Sequence, residues 1–343
     1  MMRPTAADGE RVRPGKAGDW ASATTGQPTG ARRTKEMETG PPFSCILPLV
    51  LNLAGIYPPI ATPFGRGEVD YASLQRNVER LMTTGLRGVL ALGTNGEAAH
   101  VDEREAERII GAARERVPAG RVLLAGTGRQ STRAVIAATS RAAQAGADAV
   151  LVLTPFFFKS RMTHDALVEH YRAIADASPV PVLLYTNTAV TGVNLAPDTV
   201  AAIAAHPNVV GMKDSNGDVA QMEAVIARVP AGFALFAGSA PAIHPSILAG
   251  AAGAIVAVAN VVPGLCVRLF ELARAGRQEE ARRLQARITP LAVAVTKEHG
   301  IAGLKAAMDM AGYTGGEVRG PLRPITEQAR EEIRRLVDAL VRD

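Results

Sequence analysis

Cysteine is nearly absent from the sequence, since 343 residues contain only Cys45 and Cys266. Two cysteines so far apart have no metal-ligand spacing and suggest no disulfide framework, so neither a zinc site nor a disulfide-stapled fold is supported. We expect inert thiols in a reducing, cytoplasmic setting. The sequence also lacks any run of the ~18 apolar residues that a membrane helix requires, so we expect no membrane partner.

Aromatic residues are scarce as well, at 4% of the chain, whereas hydrophobic residues as a whole make up 47%. Small aliphatic side chains must therefore fill the interior, and the hydrophobic fraction is ordinary for a soluble globular protein. The formal net charge is +5, but the basic residues are spread through helical segments and are not interleaved with aromatics. We therefore expect a solvated, arginine-rich surface and no nucleic-acid partner.

The first fifty residues differ in composition from the rest of the chain. Residues 1–40 mix glycine, proline, threonine and arginine without apolar periodicity, and such a segment buries too little surface to offset the entropy lost on ordering. We expect residues 1–50 to be a disordered, dispensable extension. The apolar patch at 43–54 is too short for a signal peptide, and five acidic residues among the first forty disfavour a transit peptide.

From residue 55 onward the sequence repeats one unit, in which a short apolar run is followed by a polar or glycine-rich turn and then by a segment with helical spacing. Near-continuous apolar runs that alternate with helices are typical of a parallel sheet buried on both faces. The eight runs are GIYPPIA (55–61), GVLALG (88–93), RVLLAG (121–126), AVLVL (149–153), PVLLY (181–185), VVGMK (209–213), FALFAG (233–238) and GAIVAVA (253–259).

Eight such units predict an α/β protein built as a closed (β/α)₈ TIM barrel. A doubly wound open sheet is the alternative, but no G-x-G-x-x-G motif opens a first helix. We expect the barrel to span residues 51–263 and extra helices, packed on it, to occupy 264–343.

Active sites of such barrels lie at the carboxyl ends of the strands. The strand ends of this sequence hold one lysine, one tyrosine and several hydroxyl groups, together with Asn260 after the eighth run. They hold no carboxylate or histidine cluster of metal-binding type, so we expect neither a metal nor another cofactor.

Lysine is rare in this chain, which has six lysines against 32 arginines, yet Lys213 ends the apolar run VVGMK. Arginine would serve for charge pairing, whereas only a lysine amine can lose a proton among apolar neighbours and form a Schiff base with a keto substrate. The alternative is a side chain that merely extends to solvent from the strand end.

Two further strand ends support the Schiff-base interpretation. The turn GTNGE (93–97) follows the second run and precedes a helical segment, so Gly93, Thr94 and Asn95 offer donors to a carboxylate. Tyr185 ends the fifth run, beside the sixth in a closed barrel, where a phenol can relay protons. Taken singly, these features could be a helix cap and a packing residue. Together they predict a site for a small 2-oxo acid.

These segments, taken in order, resemble the class I pyruvate-dependent aldolases that include dihydrodipicolinate synthase and N-acetylneuraminate lyase. Within that family, the stretches 206–219 and 300–322 look most like 4-hydroxy-2-oxoglutarate aldolase. The resemblance rests on YPPIATPF (57–64), GTNGE (93–97), AGTG (125–128), AGADAVLVLTP (145–155), LLYTNTAVTG (183–192), GMKDSNGD (211–218) and AGSA (237–240).

The resemblance implies roles for several residues and an oligomeric state. Lys213 would form the imine and Tyr185 would relay protons, with Thr94 as a further catalytic hydroxyl. The resemblance also implies a homotetramer that assembles as a dimer of dimers, so a second copy of the chain is the expected partner. The substrate-binding groups implied for pyruvate are Gly93, Thr94, Asn95, Gly238 and the backbone of Ile255.

Two departures from the family pattern bear on function. Val190 stands where the synthase carries an arginine for its second substrate's carboxylate, and TPFFFKS (154–160) has Phe156 and Phe157 where a tyrosine usually reaches into a neighbouring subunit's site. The phenylalanines then either pack a subunit interface or mark a catalytically decayed barrel.

The resemblance leaves more than one reaction open. We expect a lyase that cleaves or forms a short 4-hydroxy-2-oxo acid, best 4-hydroxy-2-oxoglutarate, with pyruvate as one partner. The alternatives are a synthase that condenses pyruvate with aspartate semialdehyde, or a keto-acid-binding barrel without activity. An aldolase must also hold the distal carboxylate of its substrate, for which donors near Thr188 or Ser215 are candidates.

Overall fold

A computed structural model describes residues 51–341, in which eight parallel strands form a barrel. Each strand pairs with the next along the chain from the second to the eighth, and the eighth pairs with the first. The strands are β1 (Gly55–Tyr57), β2 (Gly88–Ala91), β3 (Val122–Gly126), β4 (Ala149–Leu153), β5 (Val182–Thr186), β6 (Val209–Asp214), β7 (Ala234–Ala237) and β8 (Gly253–Ile255).

Backbone hydrogen bonds join the two remaining edges, β1 and β2. The amide of Ile60 donates to the Leu90 carbonyl at 2.9 Å, and the amide of Leu90 donates to the Pro58 carbonyl at 3.0 Å. These bonds nearly close the barrel. The predicted (β/α)₈ fold with additional carboxyl-terminal helices is therefore confirmed.

Helices cover the strands, and polar caps start several of them. Asp102 begins α2 with a reciprocal capping box, in which it accepts from the Glu105 amide at 2.8 Å and Glu105 accepts from the Asp102 amide at 3.1 Å. The helices are α1 (Tyr71–Met82), α2 (Glu103–Arg114), α3 (Thr132–Gln144), α4 (His164–Ala177), α5 (Thr188–Thr191), α6 (Pro197–Ala204), α7 (Val219–Ile226), α8 (Ile243–Leu248), α9 (Pro263–Arg274), α10 (Gln278–Val293), α11 (Gly300–Met310) and α12 (Glu327–Val341).

Shorter elements lie between these. An antiparallel hairpin joins Phe64–Gly65 to Glu68–Val69 after β1. Within the described part of the chain, no helix is long and apolar enough to cross a membrane. The single-turn helices are Thr94–Gly96, Ala98–His100, Lys159–Arg161, Ala240–Ala242 and Ala257–Asn260, and a π-helix spans Ala294–Glu298.

Two predicted strands are shorter in the structure. The first stops at Tyr57 because Pro58 and Pro59 lack the N–H groups that a strand donates. The eighth stops at Ile255, and Asn260, expected at a strand end, lies instead in a 3₁₀ turn. It is fully buried there, and its side-chain amide donates to the Pro59 carbonyl at 3.0 Å. The predicted disorder of residues 1–50 lies outside the described residues.

Candidate active site

Lys213 and Tyr185 lie side by side at the carboxyl end of the barrel. The register of β5 and β6 pairs one directly with the other, and paired residues of neighbouring parallel strands point to the same face of the sheet. The Lys213 Nζ atom lies 4.4 Å from the centroid of the Tyr185 ring. Each residue is only 4% exposed. The lysine is therefore buried beside an aromatic ring instead of extending into solvent.

The hydroxyl of Tyr185 is the point at which three strand ends meet. Thr94 Oγ1, from the turn after β2, lies 3.4 Å from it. The side chains of Asn187 and Ser215 donate to it at 3.2 and 3.5 Å. The structure thus brings together Lys213, Tyr185 and Thr94, the three residues predicted to be catalytic.

The environment of Tyr185 shifts its ionisation toward neutral pH. Burial, the largest influence, raises the pKa of the phenol. The positive charge of Lys213 and the hydrogen bonds from Ser215, Thr94 and Asn187 together outweigh burial and lower the pKa from 10.0 to about 8. A group whose pKa lies close to the working pH can both accept and return a proton.

The GTNGE turn differs from the expectation, because it does not open a long helix. Thr94–Gly96 forms a single 3₁₀ turn, Ala98–His100 forms a second, and α2 begins only at Glu103. The cause is Glu97, whose φ of 54° and ψ of 38° place it in the left-handed region and stop the helix. The helix amino terminus expected at this turn is therefore that of a single 3₁₀ turn.

The backbone of the turn still offers a carboxylate site. The N–H groups of Thr94 and Asn95 donate to no residue between 51 and 341, which leaves both available to a ligand. Thr62 anchors the turn, since its hydroxyl donates to the Gly96 carbonyl at 2.8 Å. Gly93 precedes the turn and is buried.

Gly238 has no side chain, and this leaves room for the side chain of Lys213. A Cβ atom at this position would lie 2.1 Å from Ser215 Oγ and 2.9 Å from Lys213 Cε, so a larger residue would displace both side chains. Ile255 ends β8, two strands from Lys213, and is fully buried. Gly238 thus contacts the site directly, and Ile255 belongs to the same end of the barrel.

Sequence reasoning gave Asn187 and Ser215 no contact with Tyr185. Asn187 follows Tyr185 by two residues, and Ser215 follows Lys213 by two residues. Side chains two apart on a strand share a face, so this spacing is the signal that could have identified both.

The three phenylalanines after β4 are exposed. Phe157 is 74% exposed and Phe158 68%, and their rings pack edge to face with centroids 5.0 Å apart. Phe156 is 38% exposed. The Phe156 and Phe157 amides both donate to Gln130 Oε1, at 2.9 and 2.8 Å. The loop is thus anchored by its backbone while its rings stay uncovered.

An ultraviolet titration of phenolate absorbance should detect the shifted tyrosine. One of the five tyrosines should ionise near pH 8, because burial raises the pKa of the other four above the ordinary value. The step should vanish in Tyr185→Phe. In Lys213→Met it should move to higher pH, since burial is then less opposed. A step near pH 8 that survives in Tyr185→Phe would contradict the assignment.

Comparison with known proteins places these features in a family. The family model of the dihydrodipicolinate synthetase family matches residues 52–340. A probable mitochondrial 4-hydroxy-2-oxoglutarate aldolase of Emericella nidulans is 36% identical over 282 residues, which cover 80% of this chain and 91% of that protein. A 4-hydroxy-tetrahydrodipicolinate synthase of Syntrophus aciditrophicus is also 36% identical over 282 residues, covering 81% of this chain and 95% of the synthase.

Solved structures that are similar to this chain belong to the same family. The dihydrodipicolinate synthase of Acinetobacter baumannii, determined in complex with pyruvate, superposes with a TM-score of 0.79 at 33% identity and covers 84% of this chain and 98% of its own. The Thermotoga maritima enzyme gives a TM-score of 0.80 at 31% identity, with the same coverage of both chains. The chain belongs to the dihydrodipicolinate synthetase family and is a class I aldolase or synthase of that family.

Proposed function

We propose that this enzyme cleaves or forms 4-hydroxy-2-oxoglutarate, with pyruvate and glyoxylate as the partners, through an imine on Lys213. The observation that carries the proposal is the buried amine of Lys213 beside the phenol of Tyr185, with Nζ 4.4 Å from the ring centroid. A lysine removed from water beside a proton-relay group is the arrangement that nucleophilic imine catalysis requires.

Each step of cleavage has a group in this site. The unprotonated Lys213 amine adds to the C2 carbonyl. The Tyr185 phenol gives its proton to the departing hydroxyl, so that loss of water leaves a protonated imine and a Tyr185 phenolate. The phenolate removes the proton of the 4-hydroxyl group, and the electron pair of the breaking C3–C4 bond forms the C2–C3 double bond of an enamine while the imine π pair moves to nitrogen. Glyoxylate leaves, the phenol gives its proton to C3 of the enamine, and one water hydrolyses the protonated imine to pyruvate and returns a proton to Tyr185. The amides of Thr94 and Asn95 hold the C1 carboxylate throughout.

Borohydride reduction in the presence of pyruvate should attach the three-carbon acid to Lys213. Peptide mass analysis locates the adduct, and Lys213→Met should abolish it because no imine can form. Lys297→Met, which removes an exposed lysine on the π-helix, is the matched control and should label normally. Labelling that persists in Lys213→Met would show that another amine reacts.

The synthase alternative differs in its second substrate, and Val190 disfavours it. A second substrate with its own carboxylate is best held by a bidentate arginine, whereas this chain places a 51% exposed valine on α5. The substrate of the proposed aldolase also has a distal carboxylate, so another group must hold it.

The donors first considered for that carboxylate are already in use. The Thr188 amide and hydroxyl both donate to Asn216 Oδ1, at 3.0 and 2.8 Å. The Ser215 amide donates to the Thr186 carbonyl at 3.1 Å. Neither backbone group is therefore free to bind a substrate in this conformation.

We propose Lys159 as the cation for the distal carboxylate. A Cβ atom placed on Gly192, the cap of α5, would lie 3.5 Å from Lys159 Cδ and 3.8 Å from Nζ. The lysine therefore lies beside the short helix that carries Val190. Its ammonium group pairs with no carboxylate among the described residues.

Two substitutions distinguish the synthase reaction from the aldolase reaction, because each changes the binding of one substrate's distal carboxylate. Val190→Arg should raise condensation with aspartate semialdehyde about tenfold, as one charge-assisted hydrogen bond permits, and leave pyruvate trapping unchanged. Lys159→Met should raise KM for 4-hydroxy-2-oxoglutarate roughly fivefold, the upper range for an exposed ion pair, but not KM for 4-hydroxy-2-oxopentanoate, which has a methyl group there. Faster cyclic condensation than cleavage by the unmodified enzyme would favour the synthase.

We also propose a homotetramer in which the segment 154–160 lies at the tight interface. Contiguous exposed apolar surface of this kind usually marks a contact with another protein, and Phe157 and Phe158 are both more than two-thirds exposed. Light scattering should give four times the chain mass, and Phe157→Asp should yield smaller species. A fully active monomer would contradict this assembly.

A further inference from the structure

A buried ion pair includes the last residue of the GTNGE turn (93–97), whose amides are proposed to hold the substrate carboxylate. Glu97 is the last residue of that turn, and Lys305 belongs to α11. Glu97 Oε1 lies 2.6 Å from Lys305 Nζ, and the two side chains are 0% and 2% exposed. Removing two charges from water has a desolvation cost that can exceed the free energy of their attraction. Stability alone is therefore a weak reason for this pair.

The pair is completed by groups from distant parts of the chain. Glu97 Oε2 accepts from the Arg319 amide at 2.9 Å and lies 3.2 Å from His100 Nδ1. Lys305 Nζ donates to the Glu317 carbonyl and lies 4.6 Å from the ring centroid of Phe64. Within residues 51–341, Lys305 Nζ is the only polar partner of Glu97 Oε1, so the stabilisation of this oxygen depends on Lys305.

Glu97 also has a conformation that needs external support. Its φ of 54° lies in the left-handed region, as does the φ of 56° at Leu92 on the other side of the turn. Residues other than glycine persist there only where the surroundings fix them, and such positions cluster at functional sites. Residues 93–96 are thus held between two strained positions.

We propose that Lys305 is a positioning residue that acts through Glu97. It fixes Glu97 in the left-handed conformation and thereby sets the backbone of the turn whose Thr94 and Asn95 amides hold the substrate carboxylate. Lys305 consequently controls the affinity for the 2-oxo acid and not the chemistry at Lys213. This inference rests on the proposed function.

The electrostatics of the pair agree with this role. Burial lowers the pKa of Lys305, whereas the hydrogen bond and charge of Glu97 oppose that shift. The second cation nearby is committed elsewhere, because the Arg319 guanidinium holds both oxygens of Glu105 at 2.7 Å. Lys305 is thus the cation that forms an ion pair with Glu97.

The test measures borohydride trapping of Lys213 as a function of pyruvate concentration in the full chain. Two quantities are obtained, the half-saturating pyruvate concentration and the trapping rate at saturation. Three variants are compared: Lys305→Met, the uncharged pair Glu97→Gln/Lys305→Met, and Glu97→Gly/Lys305→Met. The double variants bury no unpaired charge, so they keep the test decisive if Lys305→Met fails to fold.

The matched control is Asp148→Asn, which weakens a pair at the opposite end of the barrel. Asp148 precedes β4, and its carboxylate accepts from Arg114 Nη1 at 3.0 Å and from the Leu123 amide at 2.7 Å. This substitution lowers stability without touching the turn. It should leave the half-saturating concentration unchanged.

Glu97→Gln/Lys305→Met should raise the half-saturating concentration about tenfold, the size expected when one strained conformation loses its support, with the saturating rate preserved. Glu97→Gly/Lys305→Met should recover much of the affinity, because glycine adopts the left-handed conformation freely. An unchanged half-saturating concentration together with a lower melting temperature would overturn the inference and leave a purely structural pair. If the unmodified enzyme forms no adduct at any pyruvate concentration, the proposed function fails first.

Discussion

The parallel register between β5 and β6 is the constraint on which the site depends. It sets Tyr185 opposite Lys213, and the strand period of two then adds Asn187 and Ser215 to the same side. A slip of one residue would turn this set away and present Asp214 instead. In the observed register Asp214 is buried on the other side, where it accepts from the Asn216 amide at 2.7 Å and from Gln221 Nε2 at 2.7 Å. The same strand thus supplies a reactive face and an anchoring face.

The two buried lysines use different means to compensate burial. Lys213 has an aromatic ring and an ionisable phenol beside it, and its positive charge lowers the pKa of that phenol. This partner can change its charge during a reaction. Lys305 instead lies 2.6 Å from the carboxylate of Glu97. Removing one member of such a pair typically costs about 3–5 kcal/mol, because the other charge stays buried. One lysine thus faces a phenol with a lowered pKa, and the other faces a carboxylate in a buried ion pair.

Local patterns sufficed to predict the barrel and the neighbouring positions of Lys213 and Tyr185. Apolar runs of strand length, each followed by a polar residue, placed Lys213 and Tyr185 at strand ends, and barrel closure made their strands neighbours. The backbone state of Glu97 could not be predicted, because the residues that fix it lie far along the chain. Arg319, which donates to its side chain, is 222 residues away. The predicted β1 is longer than the observed strand, because the apolar pattern includes Pro58 and Pro59 although proline has no backbone N–H to donate.

The segment after α11 has a consequence for how the protein is made. The Glu317 amide donates to the Phe64 carbonyl at 2.8 Å, and Arg319 binds the Gly67 carbonyl and Glu105. Residues that are synthesised late therefore complete contacts around loops that are synthesised much earlier. A nascent chain can form all eight strands before these contacts exist, since domains generally fold from the amino terminus during synthesis. Glu97 then gains its hydrogen bond from the Arg319 amide only after the strands of the barrel have been made.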